Sequence, residues 1–411
     1  MKRRTRIILL GVLICLTTLI VSHYGAQSFS AQSFSAQSFS TSSAVNRSLV
    51  FSHQVVDPSP TPGADCCLDV LAVGDIDGDS QADIMVGAEN SIGAAWYHYP
   101  TWKQYAIARG EFTTDGEIAD VDRDGDGDVV ISSISRDAIE WWENTGNPFQ
   151  AKGWLRHEIG SRFSHDVAVG DLNGDGNLDV AILRKDEPRQ LTWFAASDDP
   201  RQAWTRHQVD TPPGEGLDLA DIDGDGDLDI AGSVNWYENL KGTGLAWTKH
   251  LVVASWGKES RDIIADMNRD GRKDIILSHA EGDGRVSWFE NPTWQEHAIE
   301  SHPLRGAHSL EVGDFDLDSD LDVFVGEMNT GVSHNVMVYK NLGGAISWQK
   351  IILATTGTHN GRTGDIDDDG DLDIVGKNYT GNKVVELWRN KTKAVSGRSR
   401  DKLKNTQGLS I

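Results

Sequence analysis

The residues best equipped to do chemistry in this chain are carboxylates. Asp221, Asp223, Asp225, Asp227 and Asp229 alternate with small or apolar residues over nine positions. Like charges packed this closely repel unless a cation lies among them. Calcium takes six to eight oxygen ligands, and Asp at positions 1, 3 and 5 with Gly at position 6 is how a short loop wraps one. An EF-hand also needs a Glu at position 12 and a helix on either side. Position 12 here is Gly232, and the flanks 217–220 and 228–231 are short apolar runs that read as buried strands. The last carboxylate, at position 9, therefore closes a compact calcium-binding hairpin between two strands.

The hairpin occurs seven times. Positions 1, 3, 5 and 9 give the expected ligands, starting with Asp75, Asp77, Asp79 and Asp83, then Asp120, Asp122, Asp124 and Asp128. The third set is Asp171, Asn173, Asp175 and Asp179, and the fourth Asp221, Asp223, Asp225 and Asp229. Asp266, Asn268, Asp270 and Asp274 make the fifth, Asp314, Asp316, Asp318 and Asp322 the sixth, and Asp365, Asp367, Asp369 and Asp373 the seventh. Up to seven calcium ions are expected, one per loop. Five Asp together with Gly at position 6 make the Asp221 and Asp365 loops the tightest expected, while the Asp266 loop carries Asn268, Arg272 and Lys273, and the Asp75 and Asp314 loops have Ser80 and Ser319 where Gly suits the turn.

The loops recur every 45–51 residues, a period that fits propeller blades of four strands each. About twenty residues after each loop comes an aromatic segment ending in a polar turn, such as Trp141-Trp142-Glu143-Asn144 or Trp236-Tyr237-Glu238-Asn239. An alternating strand follows, typically Trp-x-x-His, as in Trp154 and His157 or Trp247 and His250. Each blade thus reads as inner strand, calcium loop, second strand, aromatic third strand and Trp-x-x-His outer strand. Recurring at one structural position, these histidines read as packing residues. The seventh blade lacks its outer strand, and Phe51-Ser52-His53-Gln54-Val55-Val56 supplies the matching pattern at the other end. The predicted fold class is all-β: a seven-bladed β-propeller with a calcium hairpin in each blade, its ring closed by an N-terminal strand.

Loops of the form D-x-[DN]-x-D-G-x-x-D, preceded by V-G-D or A-D, resemble FG-GAP/VCBS repeat proteins, a group that includes the propeller of integrin α-subunits. The likeness covers about residues 50–391. FG and GAP tripeptides are mostly absent, with partial echoes at Val86-Gly87-Ala88 and Val325-Gly326-Glu327, and no further integrin-like domains follow. The resemblance implies the fold more directly than it implies adhesion.

A propeller with its calcium loops on one face has its ligand-accessible mouth on the other. Six residues ahead of each loop, where the inner strands begin, stand Asp69, Thr114, His165, Glu215, Ser260, His308 and His359, with Asp166, Arg261 and Arg362 close by. His165, His308, His359, Glu215, Asp69 and Arg362 are the candidate catalytic set. Brought together, they suit a second metal or general acid–base work on a sugar. The plainer account is that strand starts are polar because solvent reaches them. No sequence-local signature of hydrolase, metalloprotease or P-loop chemistry is present.

The net charge is −24, and half of the acidic residues lie in the seven loops. Seven calcium ions would bring the balance to −10. With no basic cluster outside the ends, nucleic acid is excluded as a partner. Residues 1–25 read as a signal peptide or uncleaved N-terminal anchor, because Lys2, Arg3, Arg4 and Arg6 precede an apolar run too short to span a bilayer easily. Residues 26–48 carry three AQSFS repeats and read as a disordered linker, 49–391 as the propeller and 392–411 as a disordered tail. Cys66-Cys67 reads as two small buried residues or as a vicinal disulfide near the channel mouth. Asn46, Asn378 and Asn390 lie in glycosylation sequons. Together these features predict a secreted or cell-surface protein. One reading is a calcium-binding module recognising an extracellular protein or carbohydrate. The other is a carbohydrate-active enzyme, of polysaccharide lyase or sugar dehydratase type, working at the mouth.

Overall fold

The computed structural model describes residues 48–60, 67–89, 93–257, 259–381 and 383–392. The leader, the linker, Asn46, Cys66 and nearly all of the C-terminal tail lie outside the described residues. Among the described residues, twenty-eight strands form seven four-stranded antiparallel sheets, one per blade. Single 3₁₀ turns at Ala151–Gly153 and Leu240–Gly242 are the only helical elements among the described residues. No helix among them is long and apolar enough to cross a membrane.

The inner strands of blades 1 to 7 are Leu68–Gly74, Phe112–Ala119, Asp166–Gly170, Leu217–Ala220, Ser260–Ala265, Ala307–Gly313 and Arg362–Gly364. Each packs against the next, and the seventh packs against the first, so the ring is closed around a central channel. Both ends of the chain build blade 7. Its outer strand is Phe51–Asp57, paired antiparallel with Val385–Asn390 so that Phe51 faces Asn390 and His53 faces Trp388.

The core lies between neighbouring sheets. Val70, Met85 and Trp96 of blade 1, for example, pack on Val129 and Ile131 of blade 2. The Trp-x-x-His pattern is explained by stacking, since in blades 2 to 5 the imidazole of the outer strand lies on the indole of the third strand. Ring centroids are 4.4 Å apart for Trp141 and His157, 4.5 Å for Trp193 and His207, 4.2 Å for Trp236 and His250, and 4.3 Å for Trp288 and His297. In three of these blades the same ring contacts the Glu after the third-strand aromatic pair, as with His157 Nε2 and Glu143 at 2.6 Å. These histidines glue outer strands down.

Two local expectations are corrected. Asn378 and Asn390 are buried, and their amides donate to the Thr356 and Phe315 carbonyls at 2.7 and 2.6 Å, so neither sequon is free to carry a glycan. Cys67 is fully buried and disulfide-bonded, which rules out a pair of free thiols.

Candidate functional site

The loop end of the channel is built on a repeated backbone device. In all seven loops the Asp at position 1 accepts the N–H of position 6 at 2.8–3.1 Å. Positions 4 and 6 both take positive φ in every loop, which explains why glycine is common there, as at Gly224 and Gly226. Ser80 and Ser319 adopt the same conformation at position 6. The Asp at position 9 is buried in every blade and joins two elements. One of its oxygens accepts the N–H of loop position 2 and the other an N–H at the end of the third strand. At Asp229 these donors are Ile222 at 2.9 Å and Asn239 at 2.8 Å. Position 9 thus holds the backbone together whatever else it binds.

The Asn ending the third strand extends this joint to the preceding blade. Asn144, Asn239, Asn291 and Asn390 donate from Nδ2 to the carbonyls of Ile76, Leu172, Ile222 and Phe315, at 2.6–2.9 Å. The recurrence of Asn after an aromatic pair was the only sequence signal for this link.

Asp126, Asp227 and Asp371, at position 7 of their loops, are additional acidic groups outside the expected ligand set. Each has a buried carboxyl oxygen with no hydrogen-bond partner, as does Asp367. Burial, then the neighbouring loop carboxylates, push Asp126 up to about 7, Asp227 to about 6 and Asp371 to about 8. Oxygen donors held together against their own repulsion suit a hard cation. In blades 1, 2 and 4, carboxylate atoms of three loop Asp come within 4.8 Å of one another.

At the opposite mouth, ring closure brings three imidazoles together from blades 3, 6 and 7. His308 and His359 are stacked with centroids 3.9 Å apart, and His165 lies 6.4 Å from His308. The solvated-strand-start account is overturned: Asp69, Thr114, Glu215, Ser260, His308 and His359 are all buried, and His165 is largely so. Asp69 joins the group, with one oxygen 3.5 Å from His359 Nδ1 and the other accepting from Thr113 Oγ1 and the Thr114 N–H. Arg362 does not. Its guanidinium is engaged deeper in the channel by Asp115 at 2.6 Å and Glu311 at 3.5 Å.

Arg261, from blade 5, is the hub of the mouth. It donates to Asp166 of blade 3 at 2.9 Å, to the His308 carbonyl at 3.2 Å and to the Asn360 side chain of blade 7. Asn360 in turn donates to the Asp69 and Thr114 carbonyls of blades 1 and 2. A polar plug therefore ties most of the ring together across its axis. Beneath it, a channel cavity of about 240 Å³ is lined by Asp115, Glu117, Asp218, Asp262, Glu311 and Arg362, among others. Burial raises Glu117 to about 8, Glu311 to about 7 and Asp218 to about 6.

The histidines at the mouth differ in charge. Burial favours a neutral ring at His165, but Glu215 at 2.9 Å and Asp166 at 3.2 Å outweigh it and push its pKa up to about 10. Burial holds His308 and His359 well below the usual imidazole range, with Arg261 and Lys377 acting in the same direction. The buried Lys377 amine is itself pushed down to about 7 by desolvation. It donates to the Leu68 and Asp69 carbonyls at 2.8 and 2.6 Å.

His165, Glu215, Glu281 and His308 each place one potential metal-ligating atom within 4.8 Å of the others. Their hydrogen bonds describe an ion-pair network instead. Arg261 can only donate, so His308 Nδ1, 3.3 Å from it, is the acceptor and Nε2 carries the proton. The Lys185 ammonium already bridges Glu215 at 2.9 Å and Glu281 at 2.8 Å. His308 Nε2 and Glu215 Oε1 remain buried without a hydrogen-bond partner, one a donor and the other an acceptor.

No curated protein sequence matches the chain. Among solved structures it is similar to the rhamnogalacturonan lyase YesW, at 13% identity over 81% of this chain and 73% of that one, with a TM-score of 0.50. A Bacillus licheniformis rhamnogalacturonan lyase PL11 shares the same identity and coverage at a TM-score of 0.47. An exotype rhamnogalacturonan lyase, YesX, gives 17% identity over 78% of this chain and 55% of that one, at 0.37. At such identities the likeness to YesW speaks for the fold alone. The model of the FG-GAP-like repeat matches residues 120–182, 171–232, 266–325 and 314–376, together more than half of the sequence. With its seven blades and recurrent loops, the chain belongs to the FG-GAP-like repeat family.

Proposed function

We propose that the chain is an exported, calcium-stabilised β-propeller whose channel mouth binds a hydroxylated, carbohydrate-type ligand and performs acid–base chemistry on it. One observation carries this reading: imidazoles from three blades share a single site, where Glu215 and Asp166 favour the charged form of His165 and burial favours the neutral forms of His308 and His359. Groups pushed to opposite protonation states at one place are what proton donor and acceptor require. His165 is the donor, and the neutral His359 is the acceptor. The unpartnered His308 Nε2–H and Glu215 Oε1 are the two halves of a site for a hydroxyl group, which accepts one hydrogen bond and donates another. Calcium would supply charge neutralisation in the loops, held by their carboxylates, and has no part in the chemistry at the mouth.

Burial favours a second reading, recognition without turnover. His308 is 1% exposed and Lys377 0%, so an incoming ligand meets mainly His165, Lys185, Glu281 and Tyr379. One experiment separates the readings. The wild type is incubated with neutral and acidic polysaccharides and with oxidised sugars, and binding and product formation are both followed. Turnover lost in H165Q and H359Q, with both variants still folding cooperatively, supports the enzyme. Retention of a ligand without product from any substrate supports the recognition module.

A further inference from the structure

The fourth and sixth loops carry Asp at the same five positions, 1, 3, 5, 7 and 9, and on ligand charge alone would bind calcium alike. Their surroundings differ most in the charge laid over loop position 3. The side chain one residue before the third-strand N–H that position 9 accepts lies over loop position 3. His98 Nε2 is 3.2 Å from Asp77 in blade 1, the Asn268 amide reaches Glu290 at 3.5 Å in blade 5, and Arg389 is 3.6 Å from Asp367 in blade 7. In blade 4 this residue is Glu238, which shares a surface depression with Asp223. In blade 6 it is Lys340, paired directly with Asp316.

That pair is buried on both sides, with Lys340 2% exposed and Asp316 0%. A buried ammonium separated from its carboxylate would leave two uncompensated charges out of water. The pair therefore holds, and it takes the position-3 ligand while placing a positive charge where a calcium ion would have to sit. A second cation reaches the same loop from blade 5, since Arg269 donates to Asp320 at 3.0 Å. The fourth loop instead gains a sixth acidic group, Glu238, near its position 3.

We infer that the sixth loop takes no calcium, because Lys340 is its built-in cation, and that the chain binds fewer calcium ions than it has loops. This rests on the reading of the other loops as calcium sites.

The test counts calcium bound per full-length chain, by equilibrium dialysis with elemental analysis, in the wild type, K340E, D316N and D223N. K340E installs in blade 6 the residue type that blade 4 carries, and the expected result is one calcium more than in the wild type. D223N is expected to lose one ion and D316N none. An unchanged count in folded K340E, or the loss of one ion in D316N, overturns the inference while leaving calcium binding by the other loops intact. If K340E does not fold, the D316N and D223N pair decides alone. A wild type that binds no calcium overturns both the inference and the reading on which it stands.

Discussion

At the loop end of the channel each blade closes its loop with the same buried Asp holding the same two kinds of N–H, whereas at the mouth the matching strand starts carry Asp69, Thr114, His165, Glu215, Ser260, His308 and His359. The loop end is a repeated part. Each copy satisfies its own backbone, and four of the third-strand Asn side chains clamp the blade before them. The mouth is a single composite object to which each blade contributes something different, and none of its contacts within a blade would assemble it. Arg261 alone reaches blades 3, 6 and 7. The difference teaches a general way of reading repeat folds. A polar residue found in every repeat supports the scaffold, and a polar residue that varies at a fixed position is free to serve a site.

The contrast is broken most forcefully at position 9. D229A removes the acceptor for two buried N–H groups, each about 1–3 kcal/mol to leave unmade, so a loss of about 2–6 kcal/mol in denaturant melts is expected. Stability unchanged within error would show that the loop Asp serves only a ligand. A smaller but broader effect concerns pH. Without calcium, burial lifts Glu117, Asp128 and Asp322 to about 8 and Glu311 to about 7, above their unfolded values near 4. Between those values the folded state holds more protons than the unfolded state, so its stability falls as pH rises. The chelated protein should melt highest near pH 5 and lose stability steadily towards pH 8. Calcium should flatten the part contributed by Asp128, leaving Asp322 of the sixth loop and the channel residues Glu117 and Glu311 to titrate. A chelated melting temperature that rises with pH would contradict this.

N291A deletes a single clamp between blades 5 and 4, and about 1–2 kcal/mol should be lost by the same measure. The effect should grow little when calcium is removed, because the Asn meets carbonyl groups and not the loop ligands. The smallest stability change is expected at the mouth. Y379F removes one hydroxyl from the part-exposed ring beside His359, with its hydrogen bond to Glu89 at 3.1 Å, and should shift denaturant stability by less than about 1 kcal/mol. Ligand retention or turnover should nevertheless fall about tenfold. A large loss of stability with function retained would move Tyr379 from the site to the scaffold.

Much of this protein was written locally in its sequence. A loop of alternating Asp, a period of 45–51 residues and a Trp-x-x-His strand each depend on residues close in the chain, so seven blades and their order were legible. The spare strand at residues 51–56 was enough to predict its place in blade 7. Positive φ at loop positions 4 and 6 also left a trace, as glycine. What sequence could not decide is what depends on which blades face each other. The His165, His308 and His359 group gathers residues nearly 200 positions apart, and Arg362, equally well placed in the sequence, points into a different layer. Strand starts that looked like solvated ends became a buried plug once the ring closed, because seven short strands converge on one axis and exclude water there. Loops four and six, alike in every Asp, were separated in charge by a lysine 24 residues after Asp316, folded back over it by the pairing of the second and third strands. Charge patterns are set along the chain, but the protonation and partners of each charge are set by burial and closure.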